Sequence, residues 1–171
     1  MYGCVDRPSM VEQRKAEIRL HDSLELVQAR ADLANADRDV SRLEKLVDTC
    51  RGKFVFEKNP QYQTMGYWVL PSYGGNKERF TFFPEVEESG KMLLVYIDQQ
   101  RRYSFIEVSL GHEDYDSLLP RGLSERQKKD VGECYVFAKA MKQLDDVQKH
   151  REKMKLKVRF YEKKINMKTK I

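Results

Sequence analysis

The segment whose residue types are best suited to chemistry is Gly111-His112-Glu113-Asp114-Tyr115-Asp116, which places an imidazole and three carboxylates within five residues. Carboxylate oxygens at such density are ligands for divalent cations. The spacing does not follow the twelve-residue EF-hand loop, so a solvated acidic loop is the preferred interpretation. No metal ion or other cofactor is predicted.

Catalytic signatures elsewhere in the chain are missing. There is no phosphate-binding Gly-x-x-x-x-Gly-Lys-Ser/Thr, no His-Glu-x-x-His and no Gly-x-Ser-x-Gly. The glycines within Tyr73-Gly74-Gly75-Asn76 fit a hairpin turn better than a phosphate cradle. Two of the three histidines, His21 and His150, fall on predicted helices. A non-enzymatic protein is therefore predicted, and a hydrolase using the acidic loop is the least favoured alternative.

Composition limits the class of protein. At 171 residues the chain is too short for a large two-domain enzyme, and 35% charged residues indicate extended solvated surfaces. No apolar run of about 18 residues and no secretory signal pattern occurs, so an intracellular protein, cytoplasmic or nuclear, is expected. Cys4, Cys50 and Cys134 are widely spaced and odd in number, which favours free thiols.

Positive charge is concentrated at the C-terminal end. Residues 149–171 contain 10 basic and 2 acidic residues, a net charge of +8, whereas the whole chain carries +5. Such a segment attracts an acidic peptide, nucleic acid or an anionic membrane, and a solvated helix face is the alternative. Lysine outnumbers arginine, so contact with nucleic acid would be made through phosphates. The residues assigned to an anionic partner are Lys153, Lys155, Lys157, Arg159, Lys163 and Lys164.

The element that precedes the middle segment is a long helix. Ser9 and Glu12 form a capping box, and Gly52 after Arg51 suits a left-handed C-terminal cap, which leaves about 42 residues of helix. Two apolar series with seven-residue steps predict a coiled-coil arm over residues 1–51. The interface residues of this arm are Leu26, Ala29, Leu33, Ala36, Val40, Leu43 and Val47.

A second helix is predicted to follow the middle segment. Ser124 and Gln127 form another capping box, and seven-residue steps continue through the arm, with Arg151 as the polar interruption. This arm covers residues 123–171 and includes the basic tail. Its interface residues are Phe137, Ala140, Leu144, Val147, Met154, Val158 and Tyr161.

The two arms are predicted to pair antiparallel within one chain, because the first enters the middle segment where the second leaves it. In that arrangement Ala31 and Ala34 would face Met154 and Arg151, so small residues oppose large ones. Heptads do not specify the partner, so pairing between chains stays open.

The middle segment, residues 52–122, is rich in β-forming runs separated by turn residues. Its core is small, so docking of Phe137, Val136 or Leu46 against the sheet is expected. The predicted fold class is α+β, with two long coiled-coil helices flanking a small, mostly antiparallel five-strand β-domain. The predicted strand runs are Lys53 to Lys58, Met65 to Leu70, Arg79 to Val86, Lys91 to Asp98 and Tyr103 to Leu110.

The helix–sheet–helix order resembles two known designs: prefoldin subunits, with coiled-coil arms joined by β-hairpins, and kinetochore proteins that join a coiled coil to a small α/β head. The resemblance is architectural, and no functional residue is carried over from it. The predicted function is a coiled-coil adaptor or assembly subunit of a homo- or hetero-oligomer that presents its arms or sheet edge to protein partners. The alternatives are a nucleic-acid-associated factor using the basic tail, and a prefoldin-like chaperone subunit with exposed apolar groups near Val11, Ile18 and Ile165.

Overall fold

The fold is α+β and rich in helix, with two long helices that enclose five strands in chain order. The computed structural model describes residues 9–58, 66–70, 79–83, 90–97, 102–111 and 121–168. In order, the elements are α1 (Met10–Arg51), β1 (Val55–Lys58), β2 (Gly66–Leu70), β3 (Arg79–Phe83), β4 (Lys91–Ile97), β5 (Tyr103–Ser109) and α2 (Glu125–Lys168).

Both helices begin at the predicted capping boxes. The Glu12 amide donates to Ser9 Oγ at 3.2 Å, and the Ser9 amide donates to Glu12 Oε2 at 2.8 Å. The Gln127 amide donates to Ser124 Oγ at 3.2 Å, and the Ser124 amide donates to Gln127 Oε1 at 2.7 Å. Each pair satisfies two amides that the first turn of a helix leaves without a partner.

The end of α1 at Arg51 matches the predicted length, but the left-handed cap at Gly52 is wrong. Gly52 does not have a positive φ, and its amide still donates to the Asp48 carbonyl at 3.2 Å. The Lys53 amide then donates to the Cys50 carbonyl at 3.0 Å. Tight turns of this kind satisfy the last carbonyls of a helix, so no left-handed residue is needed there.

The five strands form one antiparallel sheet in the order β1-β2-β3-β4-β5. The register places Trp68 beside Phe56 and Leu94 beside Phe82. Successive residues of a strand point to opposite faces, and the rings of Phe56 and Trp68 share one face with their centroids 4.9 Å apart. β4 lies inside the sheet between β3 and β5, and its Met92 and Leu94 are buried.

The sheet is covered by residues of α2. The Phe137 ring lies 4.9 Å from the rings of both Phe54 and Trp68, measured between centroids, and Phe137 is fully buried. Docking of Phe137 is thus confirmed. Docking of Val136 and Leu46 is wrong, because both are exposed. Each lies one residue from a buried position, and one residue is about 100° of rotation around a helix.

Backbone contacts divide the chain into two compact units, which we name the helical unit (residues 1–40 and 147–171) and the sheet unit (residues 41–146). The division runs through both helices rather than at their ends. The predicted five-strand β-domain is therefore wrong: the strands do not form a domain by themselves. Their buried face is completed by helical residues, including Val47, Val131, Cys134 and Phe137, that belong to the same core.

A single sheet needs a second layer of structure to cover its apolar face. Five strands of four to seven residues do not supply that layer themselves, so helical residues cover the face. The three-part division into residues 1–51, 52–122 and 123–171 stays a prediction. The turn at Tyr73 to Asn76, the loop from His112 to Asp116 and Cys4 lie outside the described residues. In the part of the chain that the structure describes, neither helix has an apolar stretch long enough to cross a membrane.

Candidate protein-interaction surface

The fourteen predicted coiled-coil interface residues all lie on faces that are buried or half-buried. In the sheet unit, Leu43, Val47, Phe137 and Ala140 are buried and Leu144 is half-buried. In the helical unit, those buried are Ala29, Ala36, Val40, Met154 and Val158, and those half-buried are Leu26, Leu33, Val147 and Tyr161. The supercoiled packing of a coiled coil stays a prediction.

Within the helical unit, α1 and α2 run antiparallel and contact one another in the same chain. Lys164 Nζ lies 2.6 Å from Asp22 Oδ1, near the start of α1 and the end of α2. Further along, Arg151 Nη1 lies 4.0 Å from Asp37 Oδ1. The α2 residue number falls as the α1 number rises, which defines an antiparallel pair.

Asp22 is the polar residue of the buried face that sequence reasoning missed. Its side chain is only 1% exposed, although it carries a carboxylate. The Lys164 ammonium and, at 3.9 Å, His21 Nδ1 are its neighbours. Its position could have been recognised, because Asp22 lies seven residues before Ala29 and so continues one of the two apolar series. A buried charged position of this kind restricts which registers two helices can adopt.

A second group of polar contacts lies beside Asp22. Glu25 Oε2 is 3.2 Å from Lys157 Nζ and accepts a hydrogen bond from the Tyr161 hydroxyl at 3.4 Å. Arg30 Nη2 donates to Glu162 Oε1 at 2.8 Å. These partly exposed pairs each contribute little stability, about 0 to 1 kcal/mol, but together they favour one alignment of the helices.

Three of the six cations predicted to bind an anionic partner already contact carboxylates of this chain. Lys157 contacts Glu25 and Lys164 contacts Asp22. Lys155 Nζ donates to Glu152 Oε1 at 2.7 Å, and this hydrogen bond is the main reason that the pKa of Glu152 is lowered. Their charge is therefore partly neutralised within the helical unit.

The other three cations, Lys153, Arg159 and Lys163, are exposed on α2. They form no ion pair with any residue that the structure describes. Three of the six predicted anion-binding residues thus contact carboxylates of this chain, and the other three are exposed to solvent.

Each helix carries a second apolar stripe on its outer side. On α1 the spacing i, i+4, i+7, i+11 joins Leu20, Leu24, Val27 and Ala31, all of which are exposed; Leu24 is 61% and Val27 is 66% exposed. Val27 and Ala31 lie two residues from the buried Ala29, which is about 200° around the helix axis. We name these four residues the outer α1 stripe.

On α2, the outer stripe consists of Leu156, Phe160 and Met167, and the first two are 65% and 59% exposed. Leu156 and Phe160 lie two residues before and after the buried Val158, so they too are on the opposite side from the buried face. The ion pair between Asp22 and Lys164 shows that this outer α2 stripe and the outer α1 stripe span the same stretch of the helical unit.

The exposure of Ala31 and Ala34 corrects a second expectation. Both were predicted to face Met154 and Arg151, but both are exposed, whereas Ala29 and Ala36 are buried. The reason is the helical period: positions 29 and 36 share a face, and positions 31 and 34 lie on the other side. The small residues that allow close approach are therefore Ala29 and Ala36.

An open depression on α2 adjoins the outer α2 stripe. It is lined by Arg159, Glu162, Lys163, Asn166 and Met167. The first four residues follow the spacing i, i+3, i+4, i+7, which is the arrangement of four side chains that receives one side chain of a facing helix. The surface thus has the local geometry of a helix-binding face.

The sheet unit contains two thiols among its described residues. Cys50 and Cys134 are buried and free, and burial raises the pKa of both thiols. A buried thiol with a raised pKa is a poor nucleophile. Among the described residues, no three His, Cys, Asp or Glu side chains are arranged to hold a metal ion.

Comparison with known proteins gives no assignment by similarity. No family model, no curated protein and no solved structure matched this chain.

Proposed function

We propose that this protein is a non-enzymatic adaptor or assembly subunit that binds protein partners through the outer faces of its helical unit. The observation that carries the proposal is that each helix, after burying one face, still exposes a second apolar stripe. Leu20, Leu24 and Val27 on α1 and Leu156 and Phe160 on α2 are all exposed.

A helix that pairs with one neighbour needs one apolar stripe, and its remaining surface is ordinarily polar. Single exposed apolar residues require no explanation, whereas aligned ones indicate an interaction surface. The alignment on both helices, over the same stretch of the helical unit, supports a role in bringing other chains together.

The test compares the partners captured by tagged full-length variants. We expect Leu24→Glu with Val27→Glu, or Leu156→Glu with Phe160→Glu, to remove specific partners that the unmodified chain retains. Gln28→Glu, at an exposed polar position between two members of the outer α1 stripe, is the matched control and should retain them. An identical set of partners for all variants would contradict the proposal.

Nucleic-acid binding is the second candidate, supported by Lys153, Arg159 and Lys163, which are exposed and unpaired among the described residues. Binding through phosphates would weaken steeply with salt, because each neutralised phosphate releases counterions. Fluorescence anisotropy with a labelled duplex and a labelled single strand at two salt concentrations tests it. Affinity that is independent of salt or of these three residues would exclude it.

A chaperone-like role is the third candidate, supported by the exposure of Val11 and Ile18 near the start of α1. Exposed apolar side chains of this kind could hold an unfolded chain. Suppression of the aggregation of a heat-denatured client should then be lost in Val11→Ser with Ile18→Ser. No suppression by the unmodified protein would remove this candidate.

A further inference from the structure

We infer that the outer α2 stripe is a docking site for an acidic amphipathic helix of a partner protein. This inference rests on the proposed function and names the chemical class of one partner. Its parts are the apolar side chains Leu156, Phe160 and Met167 and the cations Lys153, Arg159 and Lys163, here called together the outer α2 face.

Charge complementarity selects the partner. The α2 part of the helical unit, residues 147–168, contains 9 basic and 2 acidic residues. Lys155, Lys157 and Lys164 contact carboxylates of this chain, whereas Lys153, Arg159 and Lys163 flank the exposed apolar side chains. A facing surface must therefore supply carboxylates beside its apolar groups.

A second copy of α2 does not meet this requirement, since pairing two basic faces brings like charges together. Residues 10–40 of α1 contain 7 acidic and 5 basic residues, so a second copy of α1 supplies little net negative charge. An acidic helix from another protein is the occupant that satisfies both the apolar and the charged parts of the face.

The surface shape favours a helix over a phosphate backbone. Arg159, Glu162, Lys163 and Asn166 surround an open depression, with Met167 at its side. Four side chains at this spacing accept a projecting side chain of a facing helix. Contact with a phosphate backbone would use the cations and leave the apolar side chain of Leu156 without a role.

The probe is a labelled synthetic 28-residue helical peptide with leucine at its a and d positions and glutamate beside them. Fluorescence anisotropy measures its binding to the full chain. A second peptide has every glutamate replaced by glutamine, so its apolar stripe is unchanged. We expect the glutamate peptide to bind at least about tenfold more tightly than the glutamine peptide, with the difference reduced at high salt.

Two pairs of substitutions assign the binding to the outer α2 face. Lys153→Glu with Lys163→Glu, and Leu156→Ser with Phe160→Ser, should each weaken binding of the glutamate peptide by about tenfold or more. Arg14→Glu with Lys15→Glu changes the same number of charges at exposed positions on α1 and should alter the affinity less than about twofold. Circular dichroism melts are the check that all variants remain folded.

Several results would overturn the inference. These are equal affinity for the two peptides, binding that is unaffected by Leu156→Ser with Phe160→Ser, and tighter binding of a duplex oligonucleotide or an anionic vesicle to the same cations. A mass measurement showing a dimer that Leu156→Ser with Phe160→Ser dissociates would assign the face to a second copy. If the predicted differences in peptide affinity are not found while the outer α1 stripe still captures a partner, the adaptor function stands without this partner class.

Discussion

Lys164 donates a hydrogen bond of 2.6 Å from its ammonium to the Oδ1 atom of Asp22, a carboxylate with 1% of its side chain exposed. Lys164 itself is 36% exposed, so the two partners of this ion pair differ in their access to water. A charge that keeps contact with water tolerates the loss of its partner better than a buried one.

Because of this difference in exposure, substitutions of Lys164 and of Asp22 should have unequal effects on the free energy of unfolding. Lys164→Met leaves the Asp22 carboxylate buried without its lysine and should lower the free energy of unfolding by about 2 kcal/mol or more. Asp22→Leu leaves a lysine that can turn to water and fills the buried position with an apolar side chain, so we expect a change within about 1 kcal/mol or a gain. Urea denaturation measures both, and a larger loss for Asp22→Leu would contradict the expectation.

The two alanine positions on opposite sides of α1 give a matched pair. Ala34→Glu adds a carboxylate at an exposed site and should change the free energy of unfolding by no more than about 0.5 kcal/mol. Ala29→Glu places the same group at a fully buried site and should cost at least about 3 kcal/mol. Thermal melts of the two variants side by side make the comparison, and similar melting temperatures would show that the buried face is assigned wrongly.

Phe137 should be a major contributor to the stability of the sheet unit. Its ring packs against Phe54 and Trp68, so Phe137→Ala should cost about 3 to 5 kcal/mol through lost burial and a cavity. The neighbouring Val136 is 46% exposed, and Val136→Ala should cost less than about 1 kcal/mol. Denaturant titration followed by Trp68 fluorescence reports on the same region, and equal costs would indicate a different core.

Because the Cys134 thiol is buried, the free energy of unfolding should depend on pH in the alkaline range. Desolvation raises the pKa of Cys134 above its ordinary value of 9.0, so the folded chain holds this proton more tightly than the unfolded chain. The stabilisation is present below about pH 9 and is lost as the pH rises above that value, because only the unfolded thiol ionises readily.

Cys134→Ala should therefore make the free energy of unfolding fall less steeply above pH 9 than it does in the parent chain. Both are prepared with Cys4→Ser and Cys50→Ala, so that no other thiol titrates. Denaturant titrations at several pH values give the slope. An unchanged slope would show that Cys134 is not the group responsible.

Local signals in the chain were sufficient for the starts of the helices. The amides of Glu12 and Gln127 are satisfied by side chains three residues away, so Ser9 and Ser124 determine the two starts without help from the rest of the fold. The seven-residue series likewise identified Ala29 and Val158 as buried, because the helical period alone places them on one face.

The sequence by itself does not determine which residues make contact when they are far apart in the chain. The heptads did not say that Asp22 would pair with Lys164, which is 142 residues away, or that Lys157 and Lys164 would face carboxylates while Lys153 and Lys163 face outward. Nor did five strand patterns reveal that their core would include Val131 of α2. Periodicity states which side of a helix is apolar, but only tertiary packing decides which neighbour covers that side, since burial depends on partners that are distant in sequence.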